Sequence, residues 1–90
     1  MGMLIVHQRV KDFAAWKKVY DGHAPARKAA GLSREHVLQA ADDPSQVTVV
    51  LDFAYLARAK AFAASDDLKD AMKRAGVTGK PELHILKKIT

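Results

Sequence analysis

Apolar and polar positions change period several times along this chain, and each change marks an element. Met3 to Val10 is apolar and β-branched, without Gly or Pro, which predicts a largely buried strand. From Asp12 the period lengthens: Phe13, Trp16 and Tyr20 recur at i, i+3 and i+7, a helical pattern that Asp12 can cap. Pro25 has no N–H and biases Ala24 away from helical angles. The helix therefore either bends around Gly22 or yields to a second segment with Pro25 in its first turn. Gly31 suits a C-terminal cap.

Ser33 to Ala41 reads as a second strand, Asp42-Asp43-Pro44-Ser45 as a turn, and Val47 to Phe53 as a β-branched third strand paired to the second. Tyr55 to Ala64 is Ala-rich and helical, with Leu56, Ala59, Phe62 and Ala63 on one face. Ala54-Tyr55 supplies no capping side chain to its start. Ser65-Asp66-Asp67 begins a further helical segment with Leu68, Ala71, Met72 and Ala75 apolar. Acids in its first turn and Lys73 and Arg74 in its last suit the helix dipole. Gly76 ends it, and Pro81 opens a last strand, Leu83 to Ile89. No repeat or linker interrupts the series, so residues 1–90 are expected to form one domain.

The resulting order, β-α-β-β-α-β, is the ferredoxin-like arrangement of the α+β class. Right-handed crossovers place the first and third strands at the centre of a four-stranded antiparallel sheet, with the helices on one face. Both alternating sets of the central strands are partly apolar. Leu4, Val6 and Val10 oppose Met3 and Ile5; Val47, Val49, Leu51 and Phe53 oppose Val50 and Ala54. A monomer would leave one set in water at about 25 cal/mol per Å² of apolar surface. A homodimer packed through the uncovered face is therefore expected.

Composition narrows the function classes. Ninety residues bury only roughly 60–65% of the unfolded surface, and there is no cysteine to staple the fold. The Met-Gly-Met start lacks a basic-then-apolar leader, and no apolar run approaches a membrane span, so a cytoplasmic protein with no membrane partner is expected. The net charge of +5 comes from Lys and Arg scattered along the chain rather than clustered among aromatics. Scattered charge tunes solubility and does not predict nucleic-acid binding.

Candidate chemistry centres on Trp16, Tyr20, His23 and Arg27, at helical offsets of 0, 4, 7 and 11 and hence on one face. A stripe that turns from aromatic to titratable can pack the core at one end and line a cleft at the other. His23 could serve as general acid or base and Arg27 as an anchor for a carboxylate, phenolate or enolate. The bland alternative is that His23 caps the bend and Arg27 is solvated. Trp16, Tyr20 and Phe53 are expected to wall the cleft. His7 and Arg9 share one face of the first strand and Asp52 lies on the third, inside a pocket or at the dimer seam, with Arg9 or His7 as partner for a buried Asp52. His36 and His84 fall on edge strands and are expected to be exposed. No two histidines have metal-ligand spacing on one element, so no metal is expected.

The layout and several strings together resemble small proteins of the dimeric α+β barrel superfamily, which includes antibiotic-biosynthesis-monooxygenase-like and cyclase-like members. The strings are Val10-Lys11-Asp12-Phe13, Trp16-Lys17, His23 to Gly31, Asp42-Asp43-Pro44, Ala59 to Ser65 and Ala75-Gly76-Val77. The resemblance spans nearly the whole chain and implies a homodimer with a cleft between sheet and helices in each subunit. It is weak for activity, because the scaffold hosts many chemistries. Haem-degrading members carry a histidine on the second long helix; Tyr55 to Ala75 has none, and no cofactor is expected.

Other activities of this layout lack their motifs. Arg9-Val10-Lys11-Asp12 is no Gly-rich phosphate loop, and Val47 to Leu51 offers no aromatic for RNA bases. Two classes remain: a cofactor-independent monooxygenase, isomerase or cyclase acting on a small hydrophobic or aromatic molecule, and a non-catalytic ligand-binding or stress-response dimer. A vacant pocket of about 300 Å³ or more beside His23 favours the first, and a collapsed one the second.

Overall fold

The computed structural model describes residues 1–89. Strands β1 (Gly2–Val10), β2 (Leu32–Ala40), β3 (Asp43–Phe53) and β4 (Val77–Lys87) form one antiparallel sheet in the order β2-β3-β1-β4. Helices α1 (Phe13–Gly22) and α2 (Ala24–Ala29) join β1 to β2, and α3 (Leu56–Ala64) and α4 (Asp66–Arg74) join β3 to β4. The expected ferredoxin-like α+β fold is the one formed, with β1 and β3 central and the helices on one face. No helix among the described residues is long and apolar enough to cross a membrane.

Local signals set most boundaries. The Asp12 carboxylate accepts from the Ala14 amide at 3.2 Å and caps α1. Only His23 separates α1 from α2, and its αR backbone (φ −88°, ψ 0°) keeps the two segments nearly in phase. Pro25 sits in the first turn of α2, where its missing N–H costs nothing. The Ser65 hydroxyl accepts from Leu68 N at 3.2 Å and donates to Phe62 O at 2.8 Å, capping α4 while closing α3. Gly31 and Gly76 take φ of +93° and +80°, the left-handed conformation that ends α2 and α4. α3 starts at Tyr55 without a side-chain cap.

Two strand boundaries differ from the sequence reading. The β2–β3 hairpin turns at Ala41-Asp42, and Asp43 is already paired with Ala40. Neither turn residue is left-handed, so the twist of the hairpin is absorbed in a bulge that carries Pro44, Ser45 and Gln46. β4 begins at Val77, not Leu83. β1 steps from His7 to Arg9 while β4 steps from Glu82 to Thr78, so Gly79, Lys80 and Pro81 stand against the single residue Gln8. That bulge, with Gly79 at φ +68°, is what lets Pro81 sit inside a strand without breaking its ladder.

The core lies between sheet and helices. Leu4, Val6 and Val10 of β1 and Val47, Val49, Leu51 and Phe53 of β3 are buried against Trp16, Ala59, Phe62 and Ala75. Each large apolar side chain so buried contributes roughly 1.5–3 kcal/mol. Gly2 lets β1 pass under α3: a Cβ there would lie 2.7 Å from the Leu56 Cα. The opposite sheet face is mixed. Met3, Ile5 and Val50 are half-buried by their neighbours, and Leu38 and Leu86 are exposed.

Candidate functional site

α1 and α2 lean over the sheet so that an aromatic ladder runs along one side of a cleft. Phe13 stacks on Trp16 at 5.7 Å, Trp16 stacks on Tyr20 at 5.0 Å, and the Arg27 guanidinium carbon lies 3.7 Å from the Tyr20 ring centre. The stripe of Trp16, Tyr20, His23 and Arg27 therefore survives the helix break. Val6, Gln8, Val49 and Leu51 form the floor from the sheet. Leu68, Ala71, Met72 and Ala75 of α4, with Phe62 of α3, complete the far wall. The cleft is apolar and nearly filled, with about 50 Å³ of free volume.

Its polar groups are few and specifically held. The His23 imidazole is almost fully buried, lies 6.0 Å from the Phe62 ring, and places Nε2 2.6 Å from Asp67 Oδ2 in the first turn of α4. A carboxylate can only accept, so the Nε2 proton is the one shared with Asp67, and in the neutral ring Nδ1 is the acceptor. Arg27, only 3% exposed, donates from one guanidinium nitrogen to Tyr20 O at 2.6 Å, and the other lies 3.4 Å from Glu35 Oε1. The Tyr20 hydroxyl donates to the same Glu35 oxygen at 2.5 Å. Burial, then the hydrogen bond to Glu35, pushes the Tyr20 hydroxyl well above the ordinary tyrosine range, against the opposing pull of Arg27.

Among the described residues, two buried side-chain polar atoms have no hydrogen-bond partner: Gln8 Oε1 and Arg27 Nε. Leaving such atoms unsatisfied costs about 1–3 kcal/mol each. Both belong to residues of the cleft wall.

No family model and no curated protein matches the chain. Solved structures do. A candidate antibiotic biosynthesis monooxygenase from Bordetella bronchiseptica superposes with a TM-score of 0.80 at 18% identity, over 99% of this chain and 97% of that one. A second such candidate, from Nitrosomonas europaea, gives 0.76 at 20% identity over the full length of both. SnoaB, a cofactor-independent oxygenase from Streptomyces nogalater, in its N63A form, gives 0.78 at 14% identity over 99% and 93%. The chain has the fold of the antibiotic-biosynthesis-monooxygenase-like proteins.

On this monooxygenase-like fold, the residues singled out from the sequence separate into two groups. Trp16, Tyr20, His23 and Arg27 come together in the cleft. His23 forms no side-chain cap on α2, so its place is explained by Asp67 rather than by the bend. Arg27 is buried rather than solvated, and its charge already faces Glu35. Phe53 is a correction: it is fully buried 5.6 Å behind Phe62, which takes the wall position instead. α3 packs over that end of the sheet and closes Phe53 off.

Of the two places expected for His7 and Asp52, a pocket or the dimer seam, this cleft is not one they reach, because strand alternation points them to the face without helices. His7 Nδ1 lies 2.9 Å from Thr48 Oγ1, and its ring meets His84 edge-on at 5.8 Å. Asp52 has no ion-pair partner among the described residues. Arg9 turns instead to Asp43 at 3.2 Å and Ser45 at 2.7 Å in the hairpin bulge. Hydrogen bonds from Ser45 and the Arg9 charge hold the Asp43 carboxyl below its ordinary range. His36 and His84 are exposed, as expected. Among the described residues no group of three or more His, Asp or Glu converges as metal ligands do.

Gln8 was not among the sequence candidates. The signal was present: in the helix-facing series Leu4, Val6, Gln8, Val10 it is the single amide among aliphatics.

Proposed function

We propose that the chain works as a homodimer on small hydrophobic, ring-bearing molecules, using His23 to move a proton in the cleft as a cofactor-independent oxygenase or isomerase would. The His23–Asp67 pair at an apolar cleft carries this reading. Asp67 orients the imidazole and stabilises the charge it gains; Nδ1 can then accept a proton from an acidic C–H or O–H of the ligand. The electron pair left behind makes an enolate or phenolate, the species that isomerises or reacts with dioxygen without a cofactor. The described activity of SnoaB, on the same fold, supports this class. The exposed Leu38 and Leu86 beside Met3, Ile5 and Val50 support a dimer that buries the uncovered sheet face.

A second reading has its own observation. The free volume of about 50 Å³ is far below the ~300 Å³ typical of small-molecule sites, which favours a ligand-binding dimer without chemistry. Under the enzymatic reading the cleft widens as ligand enters, with the flexible Met72 side chain giving way first. Deuterium exchange at the α-carbon of 2-tetralone decides between them. Protein-catalysed exchange that His23→Asn abolishes supports proton transfer. Binding of 2-tetralone without exchange supports the second reading.

A further inference from the structure

We infer that Gln8 selects the ligand of the cleft, accepting a hydrogen bond from a hydroxyl or N–H carried on an otherwise apolar ring. The inference deepens the reading of the cleft as a ligand site and rests on it. Gln8 is 7% exposed, it lines the cleft floor, and its Oε1 has no hydrogen-bond partner among the described residues. Its neighbours on that face of β1 are Val6 and Val10, and an aliphatic side chain would fill the same place without stranding a carbonyl. The packing gives no reason for an amide here; an arriving donor does.

The backbone around Gln8 is also unusual. It is the one residue of β1 set against three residues of β4, Gly79 to Pro81. Bulges of this kind gather beside functional sites.

Arg27 Nε completes the pattern. It is a buried donor without a hydrogen-bond partner among the described residues, on another residue lining the same cleft, so the two stranded atoms ask for opposite groups. A neutral ring bearing both a hydroxyl and a carbonyl satisfies both. A simple carboxylate does not, since it has no donor for Gln8, and the Arg27 charge is already matched by Glu35. The ligand class is therefore a neutral hydroxyarene or hydroxyaryl ketone rather than an aromatic acid. Sites built to pair a ligand hydroxyl discriminate strongly against the analogue that lacks it.

The test uses p-cresol and 4-fluorotoluene, matched in size, titrated into the wild-type protein and Gln8→Met while the Trp16 indole N–H is followed by NMR. The inherent difference in solvation between the probes cancels when the two proteins are compared. The expected result is that the ratio of the two Kd values moves fivefold or more toward 4-fluorotoluene in Gln8→Met. A smaller movement overturns the role of Gln8 and leaves the cleft as a ligand site. Saturable shifts from neither probe overturn the cleft reading along with it. Gln8→Leu gives the same comparison should the Met variant fold poorly.

Discussion

His23 and Asp67 lie 44 positions apart in sequence, yet their side chains meet at 2.6 Å and join the α1–α2 junction to the first turn of α4. The contact ties the α1–α2 wall of the cleft to α4, which forms part of the opposite wall, so whatever loosens it bears on both. The imidazole end is buried and the Asp67 end is mostly in water. Solvent therefore screens the pair, and Asp67→Ala is expected to cost only about 0.5–1 kcal/mol. The more telling readout is the tautomer. Long-range proton–nitrogen correlation should show His23 protonated at Nε2 in the wild-type protein and mixed tautomers in the variant. An unchanged tautomer would separate Asp67 from any part in orienting the ring.

Arg27 is a different case, because its surroundings are dry. It bonds the Tyr20 carbonyl, faces Glu35 and stacks on the Tyr20 ring. Arg27→Ala should lower stability by about 2–4 kcal/mol in urea unfolding, since Glu35 and the Tyr20 carbonyl lose a partner and a cavity opens. A loss below 1 kcal/mol would mean that the guanidinium is held less firmly than its contacts imply.

Tyr20 gives the protein an alkaline limit. Its folded-state pKa is raised above the unfolded value near 10, so between the two the unfolded chain has lost a proton that the native chain keeps. Stability from this residue is complete below about pH 10 and falls as pH rises beyond it. Denaturant unfolding at pH 8 and pH 11 should show that fall, and Tyr20→Phe should reduce it. An equal fall in the variant would place the alkaline sensitivity elsewhere.

Close approach of β1 to α3 depends on Gly2. Gly2→Ala forces a methyl to within 2.7 Å of the Leu56 backbone, which cannot give way as a side chain end would. A loss of roughly 1–3 kcal/mol is expected. Wild-type stability in the variant would show that α3 can lift from the sheet.

These residues also show what was legible beforehand. Strand and helix order could be read from period changes, and the Trp16-to-Arg27 stripe held because one αR residue, His23, preserves helical phase. The β4 start was missed because Pro81 reads as a strand opener, whereas a bulge absorbs it. Phe53 was misplaced because alternation gives its face of the sheet but not which helix covers it. The His23–Asp67 pair was invisible because it depends on how α1 and α4 pack. Gln8 was readable as an amide in an aliphatic series; what the sequence lacked was the knowledge that its Oε1 has no hydrogen-bond partner among the described residues.

The proposed dimer has a direct test on the uncovered sheet face. Val50→Asp puts a charge between Ile5 and His36, its cross-strand neighbours, without touching the helix-side core. Sedimentation should show a dimer for the wild-type chain and a folded monomer for the variant. A wild-type monomer at micromolar concentration would contradict the dimer.

The central claim is that the space between sheet and helices is where a small ring-bearing molecule binds. Proton–nitrogen NMR of the wild-type chain titrated with 2-tetralone tests this directly. The account predicts saturable shifts concentrated at Gln8, the Trp16 indole, Ala71 and Met72. Shifts concentrated on Ile5, His7 and Val50, or no saturable shift anywhere, would contradict it.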